Sequence, residues 1–191
     1  MTRSFSITLL VVLVLATATF AGTIEGKVSP GKSVVYVDAI AGKTFPPPSA
    51  KPVMDQKGLV FTPHIMVVQQ GTTVEFQNSD SVQHNVFWPS ISGNKKDTHN
   101  LGTWPKGEKR PFTFNTPGVV PLLCNVHPEM AGYIVVSPTP NFAETDASGN
   151  YKIENVPDGK YNLVAWHEGM KTQTKPVDVA GTGKADFTLS K

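Results

Sequence analysis

The sequence predicts an all-β protein. Sixteen glycines and sixteen prolines are spread through the 191 residues, which indicates many short elements joined by tight turns. From Thr23 onward, no stretch of ten or more residues has the 3.6-residue period of an amphipathic helix. Short β-branched or alternating runs recur instead, bounded by Gly, Pro, Asn and Asp, and this pattern is typical of strands and turns.

The first 21 residues predict a signal peptide. One positive charge, Arg3, precedes an apolar run from Ile7 to Ala16, and small residues follow. The run is short for a membrane span, although an uncleaved membrane anchor is the alternative. We therefore expect cleavage near Ala18 or Ala21 and a periplasmic or otherwise extracytoplasmic protein.

Strand-forming runs then follow in order. The first set is Thr23–Val28, Ser33–Val37, Leu59–Phe61, Ile65–Val68 and Thr72–Phe76. The second set is His84–Trp88, Phe112–Phe114, Val119–Cys124 and Gly132–Val136. Three consecutive prolines in Thr44–Pro48 predict an extended connector, because proline cannot donate to a strand ladder. Polar loops are expected at Ser90–Lys96 and Lys106–Lys109.

A separate pattern follows the boundary at Ser137–Pro140. The turns Thr145–Asn150 and Val156–Lys160 each precede an alternating run, and the last strand is expected at Ala185–Leu189. This spacing predicts a small sandwich of hairpins.

One cluster of residues suggests metal chemistry. Cys124, His127 and Met130 lie within seven residues, between two predicted strands, and His84 begins a strand upstream. Two imidazoles, a thiolate and a thioether are the donor set of a type 1 copper centre, with methionine as the weak axial ligand. A zinc site would more usually bring several thiolates or three hard donors. We therefore predict one copper site with these four ligands.

Cys124 is the only cysteine, so it cannot form an internal disulfide in an oxidising compartment. An intermolecular bridge and a buried inert thiol are the alternatives to a metal ligand. The presence of three other potential donors favours the interpretation of Cys124 as a metal ligand.

The region from Leu59 to Val136 resembles the cupredoxins, the plastocyanin-like family. The resemblance is carried by Val60–Pro63, Gly71–Asn78, His84–Val86 and the short Cys124–Met130 spacing, which is similar to that of amicyanin. It implies a Greek-key β-sandwich and a single copper site that cycles between Cu(I) and Cu(II).

The same resemblance assigns roles to the ligands. It implies His84, Cys124 and His127 as equatorial ligands and Met130 as the axial ligand. Asn85 resembles the asparagine that ties the two ligand loops together in that family. Glu129 departs from the pattern, and its carboxylate is an alternative or additional axial donor.

The C-terminal part resembles the carboxypeptidase regulatory-like, transthyretin-type sandwich through Thr145–Tyr151 and Val156–Tyr161. We predict a cupredoxin domain over residues 22–137 and a carboxypeptidase regulatory-like domain over 138–191. Residues 22–45 are the alternative source of the first strands of the second sandwich, because Gly26–Val28 and Val34–Val37 fit the opening strands of that family.

These features predict an exported one-electron carrier that acts between redox protein partners. We expect no enzyme activity, because an oxidase would need further His-rich copper clusters. The alternatives are a periplasmic copper carrier or sensor whose second sandwich docks a partner protein, and a metal-free scaffold. The exposed edge of His127, beside Val126 and Pro128, is the expected electron port.

Charge excludes one class of partner. Seventeen Lys and Arg against fifteen Asp and Glu leave a net charge of +2 without a basic run, so we expect no nucleic-acid binding. Peripheral membrane association is left open. We expect His64 and His99 at the surface, with His99 in a polar loop, and His167 in a structural role or a domain contact. Trp88 and Trp104 are candidates for the core or for a docking surface.

Overall fold

The computed structural model describes residues 21–191, which form two β-sandwiches. The predicted signal peptide lies outside the described residues except for Ala21, where the first strand begins. Within residues 21–191, no helix is long and apolar enough to cross a membrane.

Short strands account for nearly all of the regular structure. The strands up to the candidate ligand loop are β1 (Ala21–Ser29), β2 (Val34–Val37), β3 (Val53–Gln56), β4 (Phe61–Thr62), β5 (Ile65–Gln69), β6 (Thr73–Asn78), β7 (His84–Trp88), β8 (His99–Trp104), β9 (Lys109–Thr113) and β10 (Gly118–Leu123). The later strands are β11 (Ala131–Ser137), β12 (Phe142–Glu144), β13 (Asn150–Pro157), β14 (Gly159–Trp166), β15 (Gln173–Val179), β16 (Thr182–Lys184) and β17 (Phe187–Thr188). A 3₁₀ turn at Lys95–Asp97 precedes β8.

The larger sandwich consists of β3 to β11. One sheet has the strand order β4-β3-β6-β9, and the other has the order β5-β11-β10-β7-β8. Residues alternate between the core and the outside on β6, where Val74 and Phe76 face inward, as the period of a half-buried strand requires. The core between the sheets also holds Trp88, Trp104, Phe114, Leu122 and Ile134.

The smaller sandwich consists of β1, β2 and β12 to β17. β1 pairs with β13, β16 and β17, while β2 lies between β12 and β14. Every strand partner described for β1 and β2 therefore comes from the chain after residue 141. We propose on this basis that residues 22–45 belong to the smaller sandwich and that the larger one is inserted between β2 and β12.

A third apolar cluster joins the two sandwiches. Val34 and Trp166 of the smaller sandwich are buried against Val135 on β11 of the larger one. The partly buried side chains around them are Tyr36, Ile65, Val67, Val119 and Tyr133. Burial of this apolar surface stabilises the contact between the two sandwiches.

Some strands lack the expected sequence pattern. β3 is short and β15 contains a proline, so neither has a long β-branched run. β8 is an edge strand and contains Gly102, which has φ +85°. Its residues are at least partly exposed except for Trp104 at its end, which is buried. Trp88 and Trp104 are fully buried, so they belong to the core and not to a docking surface.

Candidate metal centre

Three of the predicted ligands come together at one end of the larger sandwich. His84 begins β7, Cys124 directly follows β10, and His127 lies in the turn after it. The Nδ1 atoms of His84 and His127 are 3.0 Å apart, and the Sγ atom of Cys124 is 4.0 Å from Nδ1 of His127. The potential ligand atoms of the three residues all lie within 4.8 Å of one another. One ion could therefore contact all three side chains.

The segment Cys124–Met130, called the ligand turn below, is closed by the pairing of β10 with β11. Leu123 lies opposite Ala131, so Cys124 and Met130 flank the last pair of the ladder. Inside the turn, the backbone N–H of Met130 donates to the carbonyl of His127 at 3.0 Å. Pro128 restricts the backbone between them through its fixed φ. The seven-residue segment is thus held at both ends by strand pairing and in the middle by a turn.

Asn85 connects the two ligand-bearing segments. Its Nδ2 donates to Oδ1 of Asn100 at 2.9 Å and to the carbonyl of Gly102 at 2.8 Å. Its Oδ1 accepts from the backbone N–H of Asn125 at 3.3 Å, in the turn after Cys124. This link agrees with the role that the resemblance implied for Asn85, and Asn100 is a partner that the sequence did not indicate.

Asp80 orients His84. Its Oδ2 is 3.0 Å from Nε2 of His84, and it also accepts from the backbone N–H of Leu59 at 3.0 Å. The Leu59 hydrogen bond and then the His84 hydrogen bond lower the pKa of Asp80 to about 2, so the carboxylate is ionised at neutral pH. An ionised carboxylate only accepts, so Nε2 of His84 carries the proton and Nδ1 presents its lone pair to the cluster. Sequence reasoning missed Asp80, whose only signal was its place four residues before His84.

Two backbone N–H groups point at the cysteine sulfur. The N–H groups of Asn85 and His127 each lie 3.4 Å from Sγ of Cys124. Cys124 is only 3% exposed. Such donors stabilise negative charge on the sulfur and would support the thiolate that a soft metal ion prefers.

Met130 and Glu129 point to different environments. Met130 is 1% exposed and belongs to the apolar cluster that contains Cys124, whereas Glu129 is exposed to solvent. Burial places the thioether on the protein side of the turn and the carboxylate on the water side. This difference favours Met130 over Glu129 as a fourth donor.

The donor set fits copper. Two imidazole nitrogens and one thiolate, with a buried methionine at the end of the same turn, match the donors of a trigonal copper site with a weak axial ligand. Zinc sites with so few thiolates usually recruit additional hard donors, and Asp80 is already engaged by His84 and Leu59.

The other three histidines lie outside this cluster. His64 is exposed, and its Nε2 is 2.6 Å from Oε2 of Glu168. His99 is exposed as expected, but it lies on β8 and not in a loop; its ring packs beside Trp88. His167 is partly buried, and its Nδ1–H donates to the carbonyl of Glu168 at 2.6 Å.

Comparison with known proteins supports the interpretation of these residues as a copper site. Residues 49–137 match the family of copper binding proteins described as the plastocyanin/azurin family, and residues 133–190 match the carboxypeptidase regulatory-like domain. Amicyanin-alpha of Methylorubrum extorquens is 31% identical over 75 residues, which are 39% of this chain and 61% of that protein. The chain thus spans less than two thirds of the length of this curated relative.

Two solved structures are similar to part of the chain. A Cu(I) form of an amicyanin mutant is 24% identical, with a TM-score of 0.42, over 46% of this chain and 82% of that one. A purple cupredoxin from Nitrosopumilus maritimus is 24% identical, with a TM-score of 0.41, over 46% of this chain and all of that one. Residues 49–137 of this chain are therefore similar to the copper binding proteins of the plastocyanin/azurin family, and residues 133–190 are similar to the carboxypeptidase regulatory-like domain.

Proposed function

We propose that the protein is an exported type 1 copper protein that carries single electrons between redox partner proteins. The observation that carries this proposal is the convergence of His84, Cys124 and His127, with the two Nδ1 atoms 3.0 Å apart beside a buried sulfur. We assign these three residues as equatorial ligands and Met130 as the axial ligand. Copper bound there supplies a Cu(I)/Cu(II) couple.

The residues around the site hold the ligands in one arrangement. Asp80 fixes the ring of His84, and Asn85 ties the start of β7 to the turn after Cys124. Ligands that are held in place move little when the charge of a bound ion changes, and a small rearrangement favours rapid electron transfer. A rigid, buried site therefore suits an electron carrier.

Exposed apolar side chains occur in the segments that carry or contact the proposed ligands. Val126 lies in the ligand turn and is 46% exposed, and His127 beside it is only partly buried. Val82 precedes His84 by two residues, and Leu59 contacts Asp80 through its backbone. Exposed apolar side chains are typical of docking sites, so we assign the edge of His127 as the electron port and these side chains as the contact with a redox protein.

Export and a non-enzymatic role complete the proposal. The apolar N-terminal segment supports export to the periplasm or another extracytoplasmic space. His84 and Cys124 are buried, and His127 is only partly buried. A substrate would have little access to an ion held by these residues, whereas an electron can pass through the edge of His127. The burial of the donors therefore favours electron transfer over substrate binding.

A redox and metal-transfer experiment tests this role. Copper-loaded full-length protein is cycled between ascorbate and ferricyanide, and a Cu(I) chelator is then added to the reduced form. A carrier of electrons cycles repeatedly and keeps its copper during the cycles. Rapid loss of copper to the chelator, with slow electron exchange, would instead support a periplasmic copper carrier or sensor whose second sandwich docks a partner.

A further inference from the structure

The smaller sandwich contacts the strand that leaves the ligand turn. β11 begins at Ala131, directly after Met130, and Tyr133 is its third residue. The ring of Tyr133 lies 5.2 Å from the ring of Trp166, the last residue of β14 in the smaller sandwich. Trp166 is buried in this contact. An aromatic pair therefore bridges the two sandwiches three residues from the proposed axial ligand.

A polar contact reinforces the aromatic one. Glu168, two residues after Trp166, accepts from Nε2–H of His64 at 2.6 Å. The backbone carbonyl of His64 in turn accepts from the N–H of Tyr133 at 2.8 Å. Burial, and then the charge of Glu168, raise the pKa of the Tyr133 phenol.

The start of β11 has little room to shift. A Cβ atom at Gly132 would lie 2.9 Å from Cβ of Phe61, so β11 is packed directly against β4. On its other side, Ala131 pairs with Leu123, the neighbour of Cys124. A displacement of Tyr133 would therefore move Met130 relative to Cys124.

We propose that Glu168 and Trp166 are positioning residues for the ligand turn, Cys124–Met130. Through His64 and Tyr133, the smaller sandwich holds the start of β11 and thereby sets where Met130 lies relative to Cys124. The assignment of Met130 rests on the proposed function above. On this view, the carboxypeptidase regulatory-like sandwich is part of the redox unit and adjusts its site from outside the larger sandwich.

Two full-length variants and one control test this role. Glu168→Gln removes the charge that faces His64, and Trp166→Phe reduces the aromatic contact while it keeps an apolar ring. Glu154→Gln is the matched control, because Glu154 also accepts from a basic side chain at 2.6 Å but lies on β13, away from β11. In copper-free protein, amide hydrogen exchange is measured at Met130 and Tyr133. In copper-loaded protein, the ratio of the visible thiolate-to-copper bands is measured.

We expect exchange at Met130 and Tyr133 to become about twofold to fivefold faster in Glu168→Gln, the range for a partly exposed contact between two polar side chains. The band ratio should change in both variants and stay constant in Glu154→Gln. Unchanged exchange and an unchanged band ratio in both variants would overturn the proposal. If the unmodified chain gives no thiolate-to-copper band, the proposed function fails, but exchange in the copper-free variants still decides the role of Glu168 and Trp166.

Discussion

The Nε2 atom of His84 lies 3.0 Å from a carboxylate oxygen of Asp80, and this contact turns Nδ1 of the same ring toward Cys124 and His127. Asp80 is itself fixed by the backbone of Leu59. The orientation of one proposed ligand is therefore set by a residue outside the proposed ligand set.

Replacing Asp80 should weaken copper binding. In Asp80→Ala, the ring of His84 loses the acceptor that fixes its tautomer, so we expect copper affinity to fall about tenfold to a hundredfold. Competition with a copper chelator measures the effect. Asp97→Ala is the control, because Asp97 accepts from Asn94 in the 3₁₀ turn and should leave affinity unchanged. Equal affinities for the two variants would refute the role of Asp80.

Met130 and Glu129 can be separated by substitution. Met130→Leu keeps the buried volume but removes the thioether, so we expect the visible band ratio and the reduction potential to change. Glu129→Gln alters an exposed side chain and should leave both unchanged. Absorption spectra and a redox titration of the two variants provide the comparison. A change confined to Glu129→Gln would make the carboxylate the axial donor.

Loss of the Asn85 side chain should destabilise the larger sandwich. Asn85→Ala leaves the carbonyl of Gly102 and the N–H of Asn125 without the partner they have now. We expect the free energy of unfolding to fall by about 2 kcal/mol, because each lost hydrogen bond contributes about 1 kcal/mol. Denaturant unfolding of copper-free protein measures it, with Asn162→Ala at an exposed position of β14 as the control. Similar unfolding midpoints would argue against the link.

A single glycine tests the assignment of β1 to the smaller sandwich. A Cβ atom at Gly26 would overlap the carbonyl of Ala185, which follows β16 near the end of the chain. We therefore expect Gly26→Ala to lower the free energy of unfolding by about 1 to 3 kcal/mol. Glu25→Ala, at the neighbouring position on β1, is the milder control, since it removes only an exposed pair with Lys184. A fully stable Gly26→Ala protein would contradict this placement of β1.

The sequence indicated the donor residues that lie together better than it indicated the residues that hold them in place. Cys124, His127 and His84 were recognisable because donor types and strand boundaries are local features. Asp80 and Asn100 were not, since a carboxylate or amide in a polar loop is usually solvated, and their roles depend on how separate loops meet. The sequence does not decide which strands pair with β1, because its pairings with β13 and β16 join residues far apart in the chain. Edge strands such as β8 carry no apolar alternation from which they could be recognised.

The central claim is that Cys124 and the two histidines bind one copper ion through a thiolate. Full-length protein loaded with one equivalent of Cu(II) is measured by visible absorption and electron paramagnetic resonance, beside Cys124→Ser. The account predicts an intense thiolate-to-copper band toward the red end of the visible spectrum, bleached reversibly by mild reductant and missing from Cys124→Ser. Copper that binds without this band, or with equal spectra in both proteins, would contradict the account.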